Sequence, residues 1–261
     1  MPATNASPEL NVALKAAEAA AEIGRRYYRS NLVVKTKADR TPVTQADVEC
    51  EEVIRDIVLE AFPDHGFYGE EGGVTRESAD SLWLVDPIDG TKGFVRQYPF
   101  FSTQIALMRG GQLVLGVSSG PMFDEVAWAE RGSGAWLNGE ALRVSDIEAL
   151  CDCALSTGNL GSLARSSAWP ALGEIVSEVS RIRGYGDFYH YHLLAGGKIE
   201  AVVESDVNIL DIAALSVIVE EAGGVFTDLG GQPVGLHTTS VLAANTKLHA
   251  QLMARLSGFT S

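Results

Sequence analysis

An α+β half followed by an α/β half, packed together without a linker, is the architecture this sequence predicts. Three observations carry the prediction. Two helix-like stretches open the chain. Strand-like pieces joined by glycine turns then run to about residue 143. After Val144, short apolar runs alternate with helical patterns. No Pro/Ser/Gly-rich segment separates residues 1–143 from 144–261, so the halves are expected to share a tight interface with the site between them.

Leu10 to about Ser30 is Ala-rich with few breakers and reads as a long helix. "TPVTQADVECEEVIRDIVLEAF" reads as a loop entering a second helix. Thr44 is its cap, Asp47 stands at the capping-box spacing, and Pro63 ends it. Strands follow at 82–86, 101–109, 112–119 and 124–130, with Gly110-Gly111 marking a hairpin and "GSGAWLNGEAL" a second return, giving a largely antiparallel sheet. In the second half "DCALSTG", "SRIRGYG" and "EAVVES" read as strands. "ARSSAWPALGEIVSEVS", "DFYHYHLLAGGK" and "LDIAALSVIVEEAGG" read as helices.

The chain has 261 residues, 46% of them hydrophobic, which is enough for a sizeable core. No run approaches the ~20 apolar residues of a membrane span, and the start lacks the basic-then-apolar order of a signal peptide. The Asn5-Ala6-Ser7 sequon is therefore read as without meaning, and the cytoplasm is the expected compartment. Cys50, Cys151 and Cys153 are odd in number and lack zinc spacing, so they are expected to be small buried residues. A net charge of −14 argues against nucleic acid or an anionic membrane as partner. It also means that an anionic substrate would need a neutralising cation.

"WLVDPIDGTKGFV" (83–95) places two carboxylates at the mouth of an apolar strand. Pro87 biases Asp86 towards extended geometry, and Gly90 permits a sharp turn. Asp89 and Thr91 can then begin a helix whose free N–H groups suit phosphate, while the carboxylates suit a hard divalent cation. The bland alternative is that both aspartates cap a turn. "YGEEGG" adds Glu70 and Glu71 in a glycine-flanked loop, and Asp211 opens an apolar helix, where it could serve as N-cap. "LLAGGKIE" is not a phosphate loop, because His192 stands where glycine is required and Ile199 follows the lysine.

Taken together, "DPIDGTKGF" (86–94), "LDIAALSVIVEEAGG" (210–224), "GEE" (69–71) and "TPVTQAD" (41–47) resemble the inositol monophosphatase family of metal-dependent phosphomonoesterases over nearly the whole chain. Leu210 departs from the family's usual tryptophan. The resemblance implies a layered αβαβα sandwich and a homodimer. It implies a metal shell of Glu70, Asp86, Asp89, Asp211 and the Ile88 carbonyl, holding two or three Mg²⁺. Thr91 paired with Asp47 would activate a water, with Glu70 also counted as catalytic. Asp89, Gly90, Thr91 and Asp211 would contact the phosphate ester. Lys37 would lie near a third metal, or is a solvated loop lysine.

Within the family, "YGDF" (185–188) and "FVRQYPFFSTQIAL" (94–107) resemble the histidinol-phosphate phosphatase branch. Asp187 and Glu204 could pair with the cationic amine and imidazole of L-histidinol phosphate. Asp187 could instead cap the helix beginning near Phe188, and an inositol hydroxyl would also accept Glu204. Myo-inositol monophosphate is the runner-up substrate and 3′-phosphoadenosine 5′-phosphate the third. A non-catalytic binding protein that kept the fold is the alternative from a different class. His190 and His192, two apart on one helix, face different ways and are read as packing or surface residues.

Overall fold

The structure is a computed structural model that describes residues 6–30, 34–36 and 42–256. Lys37 lies outside the described residues.

The chain opens with α1 (Pro8–Tyr27), capped by the Ser7 hydroxyl, which accepts from the Leu10 N–H, and with Pro8 in its first turn. Short strands β1 (Val34–Thr36) and β2 (Pro42–Thr44) pair antiparallel. The sequence reading made this entry a loop; Pro42 is tolerated because a two-stranded ribbon has only edges. Helix α2 (Gln45–Ala61) starts at the expected Thr44–Asp47 capping box. An alanine stripe on α1, Ala13, Ala16, Ala17 and Ala20, is buried and allows close approach of α2.

Next come β3 (Gly66–Gly69), β4 (Gly73–Thr75), β5 (Ser81–Asp89), the short helix α3 (Thr91–Val95), β6 (Ser102–Arg109), β7 (Gln112–Gly120), β8 (Glu125–Glu130), β9 (Ala135–Leu137) and β10 (Glu140–Ala141). They form an eight-stranded sheet in the order β10-β9-β8-β7-β6-β5-β3-β4, antiparallel except where β3 meets β5. All nine residues of β5 are buried, because helices cover both faces of the sheet.

After a 3₁₀ turn at Leu150–Asp152 come β11 (Ala154–Thr157), α4 (Leu160–Leu163), α5 (Trp169–Glu178), β12 (Arg181–Arg183), α6 (Asp187–Ala195), β13 (Ala201–Ser205), α7 (Ile209–Glu221), β14 (Gly224–Thr227), β15 (Ser240–Asn245) and α8 (Thr246–Leu256). The second sheet has the order β12-β11-β13-β15-β14. It is parallel around β11 and antiparallel around β15.

Five layers result: α1 and α2, the first sheet, α6 and α7, the second sheet, then α5 and α8. This is the expected αβαβα sandwich. Helix α7 is apolar on nearly every side, as a central helix must be, and packs on β5 to β8 as well as β14. Gly116 on β7 makes that approach possible, since a Cβ there would lie 2.8 Å from the Ala214 Cα. One cluster of apolar side chains joins β6 to β8 with α6, α7 and β15, so the first and second sheets share a core through the middle helices. Leu210 is buried in that cluster, where it fills space as an apolar packing residue. Cys50 and Cys153 are buried as expected, but Cys151 is exposed, because it lies in the surface 3₁₀ turn.

Candidate active site

The DPIDGT stretch ends β5 in a tight polar turn. Asp86 Oδ1 accepts the Ile88 N–H at 3.0 Å, and the Thr103 hydroxyl donates to the Pro87 carbonyl at 3.0 Å. The register against β6 slips between Asp86 and Asp89, so the strand kinks there and both carboxylates leave its end. Gly90 follows at φ +84, a left-handed conformation that suits glycine. A Cβ at Gly90 would also press on the Phe100 carbonyl at 2.8 Å.

Asp211 arrives from α7. The cap of that helix is Asn208, whose side chain accepts the Leu210 N–H, so the reading of Asp211 as N-cap is corrected by three positions. Asp211 Oδ2 accepts the Asn208 N–H at 2.9 Å, completing a capping box that pins the carboxylate. Asp86, Asp89 and Asp211 each present an oxygen, all within 4.8 Å of one another. Glu70, in the β3–β4 turn, adds its charge to Asp86 and Asp211.

Crowding like charges in a buried place disfavours ionisation. Burial first, then Glu70, Asp89 and Asp211, pushes Asp86 well above the usual carboxylate range. Burial, then Asp187 and Asp211, does the same to Asp89, and the Ser102 hydroxyl opposes it. Asp211 is pushed up to about 6 by burial, against the Asn208 N–H. Among the described residues no lysine or arginine pairs with these three. Such a cluster of oxygen donors fits a hard divalent cation.

Beside it, Asp47 is fully buried. Its Oδ2 accepts the Thr44 N–H and hydroxyl at 2.7 and 2.6 Å, and its Oδ1 lies 3.2 Å from Thr91 Oγ1. Thr91 Oγ1 is also 2.9 Å from the Ile88 carbonyl. The single hydroxyl proton serves one acceptor at a time. Burial raises the Asp47 pKa, and the Thr44 hydrogen bonds oppose the rise.

Glu51 was not singled out by the sequence reading. It is buried, one helical turn beyond Asp47, and accepts the Glu71 and Gly72 N–H groups at 2.6 and 2.7 Å and Arg55 at 2.8 Å. It thereby anchors the turn that carries Glu70. The same ion pair explains the flanking glycines: a Cβ at Gly69 would collide with the Glu51 carboxylate, and one at Gly72 with the Arg55 guanidinium and that carboxylate. The signal available in the sequence was the four-residue spacing from Asp47, which puts both acids on one helix face.

A small open cleft adjoins the carboxylates, lined by Asp89, Asn159, Asp187, Tyr191, Glu204 and Asp211 among others. Glu204 projects from β13, accepts the Tyr191 hydroxyl at 2.8 Å, and lies 3.2 Å from His190 Nε2. His190 Nδ1 in turn meets Ser156 Oγ at 3.2 Å. Asp187 does not cap α6. The capping position is Gly186, without a side-chain bond, and Asp187 sits in the first turn at φ +46. Its carboxyl faces Gly90, 3.7 Å from where a Cβ there would stand. Protein crowding around the carboxyl and then Glu204 push it up to about 6, with His190 opposing, although the residue stays open to solvent at the rim. His190 and His192 do face opposite ways, and neither is at the surface. Helix α6 is the middle layer, so His190 meets the second sheet and His192 the first, at Ser118 and Glu125.

Residues 5–260 match the inositol monophosphatase family. The chain is 38% identical over 255 residues to a histidinol-phosphatase of Mycobacterium tuberculosis, covering 95% of this chain and 98% of that one. It is 35% identical to an inositol-1-monophosphatase of Mesorhizobium japonicum, covering 90% and 92%. Among solved structures it superposes on the extragenic suppressor protein suhB of Bartonella henselae with a TM-score of 0.88, at 34% identity, covering 97% of this chain and 99% of that one.

Proposed function

This chain belongs to the inositol monophosphatase family, and from that premise we propose that it is a Mg²⁺-dependent phosphomonoesterase hydrolysing L-histidinol phosphate to L-histidinol and phosphate. The observation that carries the reading is the junction of two acidic groups: within the cluster of Asp86, Asp89 and Asp211, both Asp89 and Asp211 line the same cleft as Asp187 and Glu204. The first group suits a cation that receives phosphate. The second suits a cationic alcohol half. The likeness to a histidinol-phosphatase supports the same substrate.

Asp86, Asp89, Asp211, Glu70 and the Ile88 carbonyl would hold the metal, two or three Mg²⁺ ions per site. Bound there, Mg²⁺ supplies Lewis-acid charge that lowers the pKa of a water and neutralises phosphate oxygens. Thr91 donates to Asp47 and so keeps its lone pairs for a proton of the attacking water, which orients that water. The Gly90 and Thr91 N–H groups serve as donors to phosphate oxygens, near Asp89 and Asp211. Glu204, held by Tyr191, and Asp187, at the rim, take the amine and imidazole of the substrate.

Histidine biosynthesis is the corresponding physiological setting, in the cytoplasm and as a homodimer. The absence of any described helix long and apolar enough to cross a membrane is compatible with this. Inositol 1-phosphate is the second reading, because Glu204 would also accept a hydroxyl. The test is phosphate release from L-histidinol phosphate with Mg²⁺, repeated with a chelator and with Asp89→Asn. Full activity of Asp89→Asn would overturn the metal-site assignment, and no stabilisation by Mg²⁺ would return the chain to the non-catalytic alternative.

A further inference from the structure

A continuous line of polar side chains runs through the core of the first sheet, and the mechanism above does not use it. Asp89 Oδ2 accepts the Ser102 hydroxyl at 3.0 Å. Gln104 Nε2 lies 2.7 Å from Ser102 Oγ and 3.1 Å from Ser118 Oγ. Ser118 Oγ lies 2.9 Å from His192 Nε2, and His192 Nδ1 lies 2.9 Å from Glu125 Oε2. Ser102, Gln104, Ser118 and His192 are all at most 3% exposed, while the Glu125 side chain reaches solvent at 23%.

The sheet register builds this line. Asp89 stands opposite Ser102 on β6, and Gln104 stands opposite Ser118 on β7. Ser102 and Gln104 are two apart, so both point to the same face. Four buried polar side chains in an otherwise apolar sheet cost free energy unless their donors and acceptors match.

They match in one direction. With Gln104 Nε2 towards both serines, each serine accepts from the amide and keeps its own proton. Ser102 spends that proton on Asp89 and Ser118 spends its own on His192 Nε2. His192 then carries its hydrogen on Nδ1 and donates to Glu125. With the amide turned over, both serines would donate to Gln104 Oε1, and Asp89 would lose its partner. The adopted arrangement leaves Gln104 Oε1 buried without a partner among the described residues.

We propose that Ser102 and Gln104 are positioning residues that fix the Asp89 carboxylate for metal binding, with Ser118 and the α6 residue His192 anchoring the far end of the chain. The inference rests on the assignment of Asp89 as a metal ligand. Because α6 also carries Asp187, the same line ties the substrate-facing helix to the metal site. Residues that orient metal ligands typically change metal affinity about 10–100-fold when removed.

The experiment measures the Mg²⁺ midpoint twice: by thermal shift of the protein without substrate, and by activation of phosphate release. The variants are Ser102→Ala, Ser102→Thr, Gln104→Met, the Ser102→Ala/Gln104→Met double and Asp89→Asn. The expected result is a midpoint raised about tenfold in Ser102→Ala and in Gln104→Met. The double should be no worse than either single, since one chain is broken once, and Ser102→Thr, which keeps the hydroxyl, should restore the wild-type midpoint. A merely structural role would lower the melting temperature without Mg²⁺ and leave both midpoints within twofold of wild type, and that result overturns the proposal. If Gln104→Met does not fold, Ser102→Ala against Ser102→Thr decides alone. Asp89→Asn separates the two levels: an unchanged midpoint there refutes the ligand assignment itself, whereas loss there with no effect in Ser102→Ala refutes only the positioning role.

Discussion

Gly158 follows β11, opposite the strand that carries Glu204, and has no side chain because Glu204 occupies the space. A Cβ at 158 would stand 2.5 Å from Glu204 Cδ and 3.0 Å from Cγ, and closer still to Oε1. Carbon–carbon contact needs roughly 3.5–4.0 Å, so Gly158→Ala forces the carboxylate to retreat by about 1 Å or to rotate. Either move breaks its 2.8 Å bond from Tyr191 and its approach to His190. If Glu204 receives the substrate amine, the variant loses a charge-assisted hydrogen bond worth about 1.5–3 kcal/mol. That corresponds to roughly 10–150-fold in kcat/KM. The loss should fall on L-histidinol phosphate and spare a small phosphate ester with no cationic group, and the Mg²⁺ midpoint should stay at the wild-type value. Steady-state phosphate release from both esters at saturating Mg²⁺ reads the difference, with a thermal melt to confirm folding. Equal losses on both esters, or none on either, would refute the role given to Glu204.

Three further outcomes are expected. Thr91→Ala should lower kcat by about 10²-fold or more with little change in KM, as expected for a group that orients the nucleophile; a KM effect alone would contradict this. Glu51→Gln keeps one acceptor and faces the second backbone N–H with an amide, so it should cost about 1.5–3 kcal/mol, or some 3–10 °C in a melt, and weaken Mg²⁺ activation through the Glu70 turn; an unchanged melt would show that the turn holds itself. Asp86, Asp89 and Asp211 bind protons more tightly folded than unfolded. Their contribution to stability is therefore present below about pH 4 and is lost as pH rises, through about 6 for Asp211. The metal-free protein should melt lower at neutral than at mildly acidic pH, and saturating Mg²⁺ should remove that slope.

The parts of the site legible in the sequence were those that local chemistry dictates. The Asp-Pro-x-Asp-Gly-Thr turn bends at its proline and glycine whatever surrounds it, and the Thr44–Asp47 box declares a helix start. The apolar run around Asp211 declared a buried helix, yet not its first residue, because Asn208 and Asp211 both suit a capping box and only the backbone shows which is the cap. Beyond Gly224 the sequence pattern specifies no elements, and there the fold places the rest of β14, β15 and α8. Strand β4 and the β1–β2 pair were missed because three-residue strands carry too little alternation to register. The sequence allows Asp187 either to cap α6 or to meet substrate, and the backbone, invisible in the sequence, gives the cap position to Gly186 and turns Asp187 left-handed. The Ser102–Gln104–Ser118 line depends on strand register, which no single-strand pattern gives. Its one trace was two polar residues spaced by two inside "FFSTQIALM".

The central claim is a metal-bearing carboxylate cluster joined to an acidic pocket for a cationic alcohol. The measurement that tests it most directly is kcat/KM with Mg²⁺ for L-histidinol phosphate against myo-inositol 1-phosphate, with 3′-phosphoadenosine 5′-phosphate alongside. The account predicts a preference for histidinol phosphate of about 100-fold, or roughly 2.7 kcal/mol in the transition state. A preference for the inositol ester would contradict the assignment of Asp187 and Glu204, and no Mg²⁺-dependent release from any of the three would contradict the account as a whole.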